Sequence, residues 1–162
     1  MDPVKGYALV FLLSLTPTFE ARYAIVLGMG MGLNPLVCAA LCASATLLLA
    51  ACLTAAMRLI DELVKRLGES GSRVGSAIYS LYARIVEGVS RRARRYVEKW
   101  GVVGIALFVA VPVPATGVWS GAVASYVLGL RGARAFAALA LGGLASMALT
   151  GALAALGYAA LR

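Results

Sequence analysis

Histidine is absent from the 162 residues, and charged side chains are scarce. The absence of histidine excludes His-based acid–base catalysis and His-ligated metal sites. Asp, Glu, Lys and Arg together make up 14% of the chain, whereas a soluble globular domain carries about 25%. An ordinary water-soluble fold is therefore not expected.

Cysteine is rare as well. Cys38, Cys42 and Cys52 all fall within one apolar run. Residues of a single helix do not form a disulfide framework, and no cluster of metal ligands accompanies them. Nor does the chain show a nucleophile–base pair. We therefore predict no metal, no cofactor and no enzymatic activity.

Three long stretches carry no charge at all: 23–57, 100–130 and 135–161. A membrane-spanning helix needs roughly 20 consecutive apolar residues, so each stretch is long enough. The net charge of +8 comes from basic residues beside these stretches. Such a pattern follows the positive-inside rule, so no nucleic-acid partner is predicted. We predict an all-α integral membrane protein in the cell membrane.

The apolar segments are of two kinds. Segments 35–57 and 135–160 are uninterrupted and predict spanning helices. Segments 4–33 and 101–130 are broken by proline, which ends a helix. The arm before the first break has about twelve residues, or about 18 Å of helix, in a hydrocarbon core roughly 30 Å thick. Arms that cross only about half of the membrane predict two re-entrant hairpins.

The two halves of the chain resemble one another. Aligning Pro17 with Pro114 places small residues of the two hairpins opposite each other. We predict a single membrane domain over 1–162, with inverted repeats at 1–57 and 100–162. Inverted repeats are typical of transporters.

The segment 58–99 between the repeats is predicted to be a basic, amphipathic and helical linker with a turn at 68–72. Asp61–Lys65 and Glu62–Arg66 are favourable i,i+4 pairs. The helix after the turn fits a membrane interface, or a solvated helix packed on the membrane domain.

Charge predicts the topology. Segment 58–99 carries ten of the fifteen Lys and Arg residues, and Arg131 and Arg134 follow the second hairpin. Re-entrant hairpins place these twelve cationic residues on one face. The positive-inside rule then predicts a cytoplasmic linker with both termini outside.

Glu20 and Arg22 are the only ionisable charges within the predicted membrane segments apart from Lys5, the second residue of the first segment. Charges in lipid usually face a cavity and mark a pathway. Beside a proline break the two side chains can share a side and pair. The alternative is that Glu20 only satisfies the first turn of its helix, with Arg22 neutralising it.

The proline breaks also point two helix N-termini toward the middle of the membrane, where they favour an anionic group. Thr116 adds a hydroxyl there or caps its own helix. The predicted substrate-binding and coupling residues are Pro17, Thr18, Glu20, Arg22, Pro112, Pro114, Thr116, Gly117 and Trp119.

The segments 17–28 and 108–121, which contain these residues, resemble the small multidrug export family, a distant relative of the DedA/VTT membrane proteins. The resemblance implies two facing re-entrant hairpins and transport or lipid translocation. DedA relatives are linked to flipping of polyprenyl-phosphate carriers and to proton-dependent drug tolerance. Unlike DedA proteins, this chain has neither Arg nor Asp in its second motif.

We therefore expect a small transporter or lipid-carrier flippase that binds an anionic head group, such as polyprenyl phosphate, between the hairpin tips. The alternatives are a proton- or sodium-coupled exporter of small amphipathic drugs, and a non-transporting membrane scaffold. Membrane lipids are expected partners. A homodimer is also predicted, through ridges of small residues at Gly28/Gly32, Gly117/Gly121 and Gly142/Ser146.

Overall fold

The computed structural model describes residues 2–113 and 116–160. Within these residues the regular elements are α-helices, as predicted. In chain order they are α1 (Pro3–Ser14), α2 (Glu20–Gly30), α3 (Pro35–Glu69), α4 (Arg73–Trp100), α5 (Val102–Ala110), α6 (Val118–Val127) and α7 (Gly132–Ala160).

Helices α3 and α7 are long and apolar enough to cross a membrane, judged by length and composition. The start of α3 agrees with the predicted span, because the Asn34 side chain accepts a hydrogen bond from the Leu36 amide over 2.9 Å and caps the helix. Its end does not. The helix continues twelve residues beyond Met57, to Glu69, because no proline or glycine interrupts it before Gly68.

The helices beside the proline breaks are short. α1, α2, α5 and α6 contain 12, 11, 9 and 10 residues. At about 1.5 Å per residue, none exceeds about 18 Å, which is well short of a hydrocarbon core of about 30 Å. α5 ends at Ala110, and Val111 is extended, as expected for a residue before proline.

The small-residue ridges pack inside the chain. A Cβ at Gly142 would lie 2.6 Å from the carbonyl oxygen of Ala106, and one at Gly28 would lie 2.7 Å from Cys38 Sγ. Ser146 is buried too. Gly28, Gly142 and Ser146 therefore already serve close approach between helices of one chain, whereas a Cβ at Gly32 meets nothing within 4 Å. Contact between copies through these ridges, and the homodimer itself, stay predictions.

α4 packs on the other helices at some apolar residues and exposes others, and its position relative to a membrane interface stays a prediction. Val89 and Ala93 are buried in the core beside α5. Val74 and Leu81, apolar residues of the same helix, are 70% and 60% exposed. The turn before α4 contains Gly71 with φ of +70°, a conformation that favours glycine.

The surface ion pairs of α3 match the prediction only in part. Lys65 Nζ lies 2.7 Å from Asp61, as expected. Glu62, however, pairs with Arg58 at 2.9 Å rather than with Arg66. Both arginines lie four residues from Glu62, so spacing alone did not decide between them.

Candidate functional site

Glu20 and Arg22 form a buried ion pair where the two halves of the chain meet. Each residue is 5% exposed, and Arg22 Nη2 donates to Glu20 Oε2 over 3.1 Å. Residues i and i+2 normally point apart on a helix. Here Glu20, the first residue of α2, has φ of +51°, which is uncommon for a residue other than glycine. The predicted pairing of the two charges is confirmed.

The Glu20 carboxylate lies at the N-terminus of α6. Oε1 accepts a hydrogen bond from the Trp119 amide over 3.3 Å, and Gly117 packs directly against the carboxylate. α6 has no side-chain cap from its own sequence. Glu20 fills that role from 99 residues away and satisfies an amide that the helix leaves without a partner. The protein's own carboxylate thus occupies the helix N-terminus at which an anionic ligand was predicted to bind.

Arg22 joins this carboxylate to the end of α5. Nη1 donates to the carbonyl oxygens of Val113 at 3.2 Å and Val111 at 3.5 Å. The guanidinium also lies 5.4 Å from the centre of the Tyr23 ring, a cation–π distance. Arg22 Nε is buried and has no hydrogen-bond partner among the described residues. One N–H donor of the guanidinium is therefore not used by any described residue.

The second proline break supplies backbone carbonyl oxygens, which accept hydrogen bonds from Arg22. Pro112 separates the two valines whose carbonyls contact Arg22, and Pro114 lies outside the described residues. The Thr116 hydroxyl lies 2.6 Å from the Val111 carbonyl oxygen and 2.7 Å from that of Val113. The alternative that Thr116 caps α6 is therefore wrong, because its hydroxyl turns back to α5.

A cavity of about 640 Å³ opens beside the ion pair. This volume is typical of pockets that bind small molecules. Six predicted residues line it: Pro17, Thr18, Glu20, Arg22, Gly117 and Trp119. Trp119 is further fixed by its indole Nε1, which donates to the Leu15 carbonyl oxygen over 3.3 Å.

Sequence reasoning missed four residues of the same cavity wall: Tyr23, Ile85, Ser120 and Val123. Tyr23, Ser120 and Val123 are sequence neighbours of predicted residues or lie one helical turn away. Ile85 belongs to α4, and no local signal connects it to the hairpins.

Behind the ion pair lies a second and much smaller space of about 10 Å³. The Ser14, Thr46 and Ser146 side chains line it together with Glu20 and Arg22. This volume is close to that needed for one water molecule. The Ser146 hydroxyl has no hydrogen-bond partner in the described part of the chain. The buried charges thus separate a large cavity from a small polar one.

One family model, described as "Putative small multi-drug export protein", matches residues 20–149. The chain belongs to this family. No curated protein and no solved structure in the comparison matches the chain.

The match begins at Glu20 and includes Arg22, α3, the second proline break and most of α7. It confirms the resemblance to the small multidrug export family, while the relationship to DedA proteins stays a prediction. The family's description is that of an exporter and not of an enzyme. Together with the two apolar helices, family membership supports a membrane protein that functions in export.

Proposed function

We propose that this protein is a small membrane transporter that moves an anionic head group, such as a lipid phosphate, past the Glu20–Arg22 pair. The observation that carries the proposal is the position of Glu20. Its carboxylate occupies the two donors that a phosphate would need, the Arg22 guanidinium and the α6 N-terminal amide. Helix N-termini and arginine are common partners of phosphate.

In this proposal Glu20 acts as a gate. While its carboxylate is ionised, it satisfies Arg22 and the Trp119 amide and excludes other anions. Protonation of Glu20 removes its charge and weakens both bonds, which frees the donors for a ligand in the 640 Å³ cavity. A proton is thus the coupling ion that this arrangement favours.

The proposed framework is a pair of inverted re-entrant hairpins, α1–α2 and α5–α6. Their four helices are each too short to span the membrane. The Tyr7 hydroxyl accepts from the Asn34 amide over 3.2 Å, which places the start of α1 beside the start of α3. At the opposite end of the α3 span, Asp61 accepts from the Tyr126 hydroxyl at the end of α6. These contacts support hairpins that open to opposite faces.

A second candidate is cation-coupled export of small amphipathic drugs. The cavity wall favours it because aromatic and aliphatic side chains surround one carboxylate. Tyr23, Trp119, Ile85 and Val123 line the space beside Glu20. Such a wall suits a flat apolar cation, which would be attracted to Glu20 and to the aromatic faces.

The two candidates are separated by transport assays in proteoliposomes. One set of vesicles contains fluorescent polyprenyl phosphate, with fluorescent phosphatidylcholine as the neutral control. Another contains ethidium as the amphipathic cation. Arg22→Ala is expected to abolish transport of the anionic lipid, whereas Glu20→Gln, which mimics the protonated gate, is expected to abolish the dependence of that transport on a proton gradient. Glu87→Gln and Arg84→Ala remove the same charges at exposed positions of α4 and are expected to retain both the transport and its dependence on the gradient.

Ethidium transport without lipid transport would favour the second candidate. If Glu20→Gln and Arg22→Ala behave like their exposed controls, the ion pair has no part in transport. A folded protein that moves neither probe would favour the membrane scaffold.

A further inference from the structure

A second cavity, of about 260 Å³, lies between α3, α6 and α7. Arg58 and Arg131 both line it. Arg58 is the first charge after the uncharged stretch 23–57, and Arg131 is the first after the stretch 100–130. The cavity therefore lies where two apolar segments end, at the boundary between hydrocarbon and water on the face that carries the basic segment 58–99.

The wall of this cavity contains a buried polar group without a partner. Ser125 is 2% exposed, and its hydroxyl has no hydrogen-bond partner among residues 2–113 and 116–160. Buried hydroxyls are normally hydrogen-bonded, and leaving one unpaired costs about 1–3 kcal/mol. An acceptor bound in the cavity would satisfy it. The unpaired hydroxyl and the two arginines together indicate an anionic ligand.

Both arginines retain donors for such a ligand. Arg58 donates to the Glu62 carboxylate through Nε, over 2.9 Å. No hydrogen bond among the described residues uses the two terminal nitrogens of Arg58. Arg131 lies 5.3 Å from the centre of the Tyr126 ring, which holds the guanidinium by its flat face. The edge of a guanidinium stacked in this way remains free to bind phosphate oxygens.

Asp61 fixes Tyr126 in this position. Its carboxylate, on a residue that is 7% exposed, accepts from the Tyr126 hydroxyl at 3.1 Å and from the Tyr82 hydroxyl at 3.2 Å. Lys65 donates to the same carboxylate at 2.7 Å. Asp61 thus ties α3 to α4 and α6, and its negative charge is offset by Lys65 rather than directed at the cavity.

α6 separates this cavity from the Glu20–Arg22 cavity. Ala122, Ser125 and Tyr126 line the one, whereas Trp119 and Val123 line the other. At about 3.6 residues per turn, Ser125 lies about a third of a turn around α6 from Trp119, and no residue lines both cavities. The second cavity is therefore a site of its own.

We propose that this cavity binds the phosphate of an anionic phospholipid from the leaflet next to the basic segment. Arg58 and Arg131 bind the phosphate oxygens, and Ser125 donates to one of them. The acyl chains extend along the exposed apolar surface of α3, where Leu48, seven residues before Ala55 of the cavity wall, is 49% exposed. A soluble phosphate shares the head-group chemistry but lacks these chain contacts.

The test is native mass spectrometry of the purified full chain in detergent, titrated with dioleoylphosphatidylglycerol. Dioleoylphosphatidylcholine and inorganic phosphate are the comparison probes. The Arg58→Ala/Arg131→Ala double variant is expected to weaken phosphatidylglycerol binding about tenfold or more, because hydrogen bonds to charged groups are lost. Arg66→Ala/Arg134→Ala removes the same charge outside this cavity, from α3 and from the first turn of α7 just after Arg131. It is expected to change the affinity less than about twofold, as exposed charges contribute little.

Ser125→Ala provides a second measurement. Affinity is expected to fall severalfold, while the thermal stability of the lipid-free protein stays the same or rises, because the hydroxyl has no partner to lose. If the double variant fails to fold, Ala55→Phe, which fills the cavity from an exposed position, is expected to abolish binding.

Three results would overturn the proposal. Equal losses in the two double variants would show that only general charge attraction is present. Equal binding of phosphatidylcholine would remove the requirement for an anion. Displacement of the lipid by millimolar inorganic phosphate, with no dependence on acyl chains, would assign the cavity to a soluble anion.

Discussion

Gly117 leaves the space that the Glu20 carboxylate occupies, and a Cβ at position 117 would overlap both carboxylate oxygens. Aligning Pro17 with Pro114 makes these two residues counterparts in the proposed repeat. They meet where the hairpins face each other, so only one of the two positions has room for a side chain. This asymmetry places one carboxylate, rather than two or none, at the centre of the site.

Gly117→Ala is therefore expected to displace Glu20 from α6, with loss of transport and a fall in stability of about 1–3 kcal/mol from overpacking. Thermal unfolding in detergent and the proteoliposome assay measure the two effects. Gly88→Ala is the matched control, because a Cβ at Gly88 in α4 meets nothing within 4 Å. Equal behaviour of the two variants would contradict the observed packing.

The Glu20–Arg22 pair predicts strong coupling between its two members. Arg22→Ala leaves a buried carboxylate without its cation and is expected to cost about 3–5 kcal/mol of unfolding free energy. Glu20→Gln/Arg22→Ala removes both charges and is expected to recover part of that loss without restoring transport. Denaturant unfolding of the single and double variants measures the coupling. Additive losses would show that the pair is not energetically linked.

Gly142→Leu tests whether the α7 ridge stabilises the chain itself. The added side chain would meet the Ala106 carbonyl oxygen and Val109, so overpacking is expected to lower stability by about 1–3 kcal/mol or more. Gly157→Leu on the same helix meets no neighbour and is expected to be tolerated. Unfolding is followed together with mass in nanodiscs. A change in oligomer mass at unchanged stability would instead support a ridge between copies.

The proposed topology predicts opposite labelling of two single cysteines. Lys5→Cys is expected to react with an impermeant maleimide from outside intact cells, and Gly88→Cys only after permeabilisation, since the positive-inside rule places the basic segment in the cytoplasm. The unmodified chain is the control, because Cys38 and Cys42 are buried and Cys52 lies in the apolar part of α3. Labelling of both positions from one side would exclude the hairpin topology.

The surroundings of Tyr82 predict that the stability of the folded protein depends on pH in the alkaline range. Burial, followed by the charge of nearby Asp61, raises the pKa of Tyr82 from 10.0 to about 12. A raised pKa in the folded state stabilises the protein below pH 10, and this contribution is lost as the pH rises toward 12. Tyrosinate absorbance is expected to show one late titration that Tyr82→Phe removes and Asp61→Asn shifts to lower pH. An unchanged curve in Tyr82→Phe would contradict the assignment.

Much of this protein follows from its sequence because the relevant properties are local. Long uncharged stretches determine the apolar helices α3 and α7, since charge is costly in lipid. Proline determines where α1 and α5 end, because it removes an amide donor and restricts the residue before it. Glu20 and Arg22 stood out for the same local reason, as charges inside apolar segments.

Only the tertiary structure decided which groups meet. Nothing local connects Glu20 with Trp119, which lies 99 residues away, or brings Ile85 of α4 to the cavity wall. The sequence also does not determine what packs against the small-residue ridges, since a small residue permits close approach without specifying its partner. Here Gly142 packs against Ala106 and Val109 of α5 in its own chain. Composition and periodicity limit which secondary structure each segment can form. Long-range packing then decides which of several compatible segments it contacts.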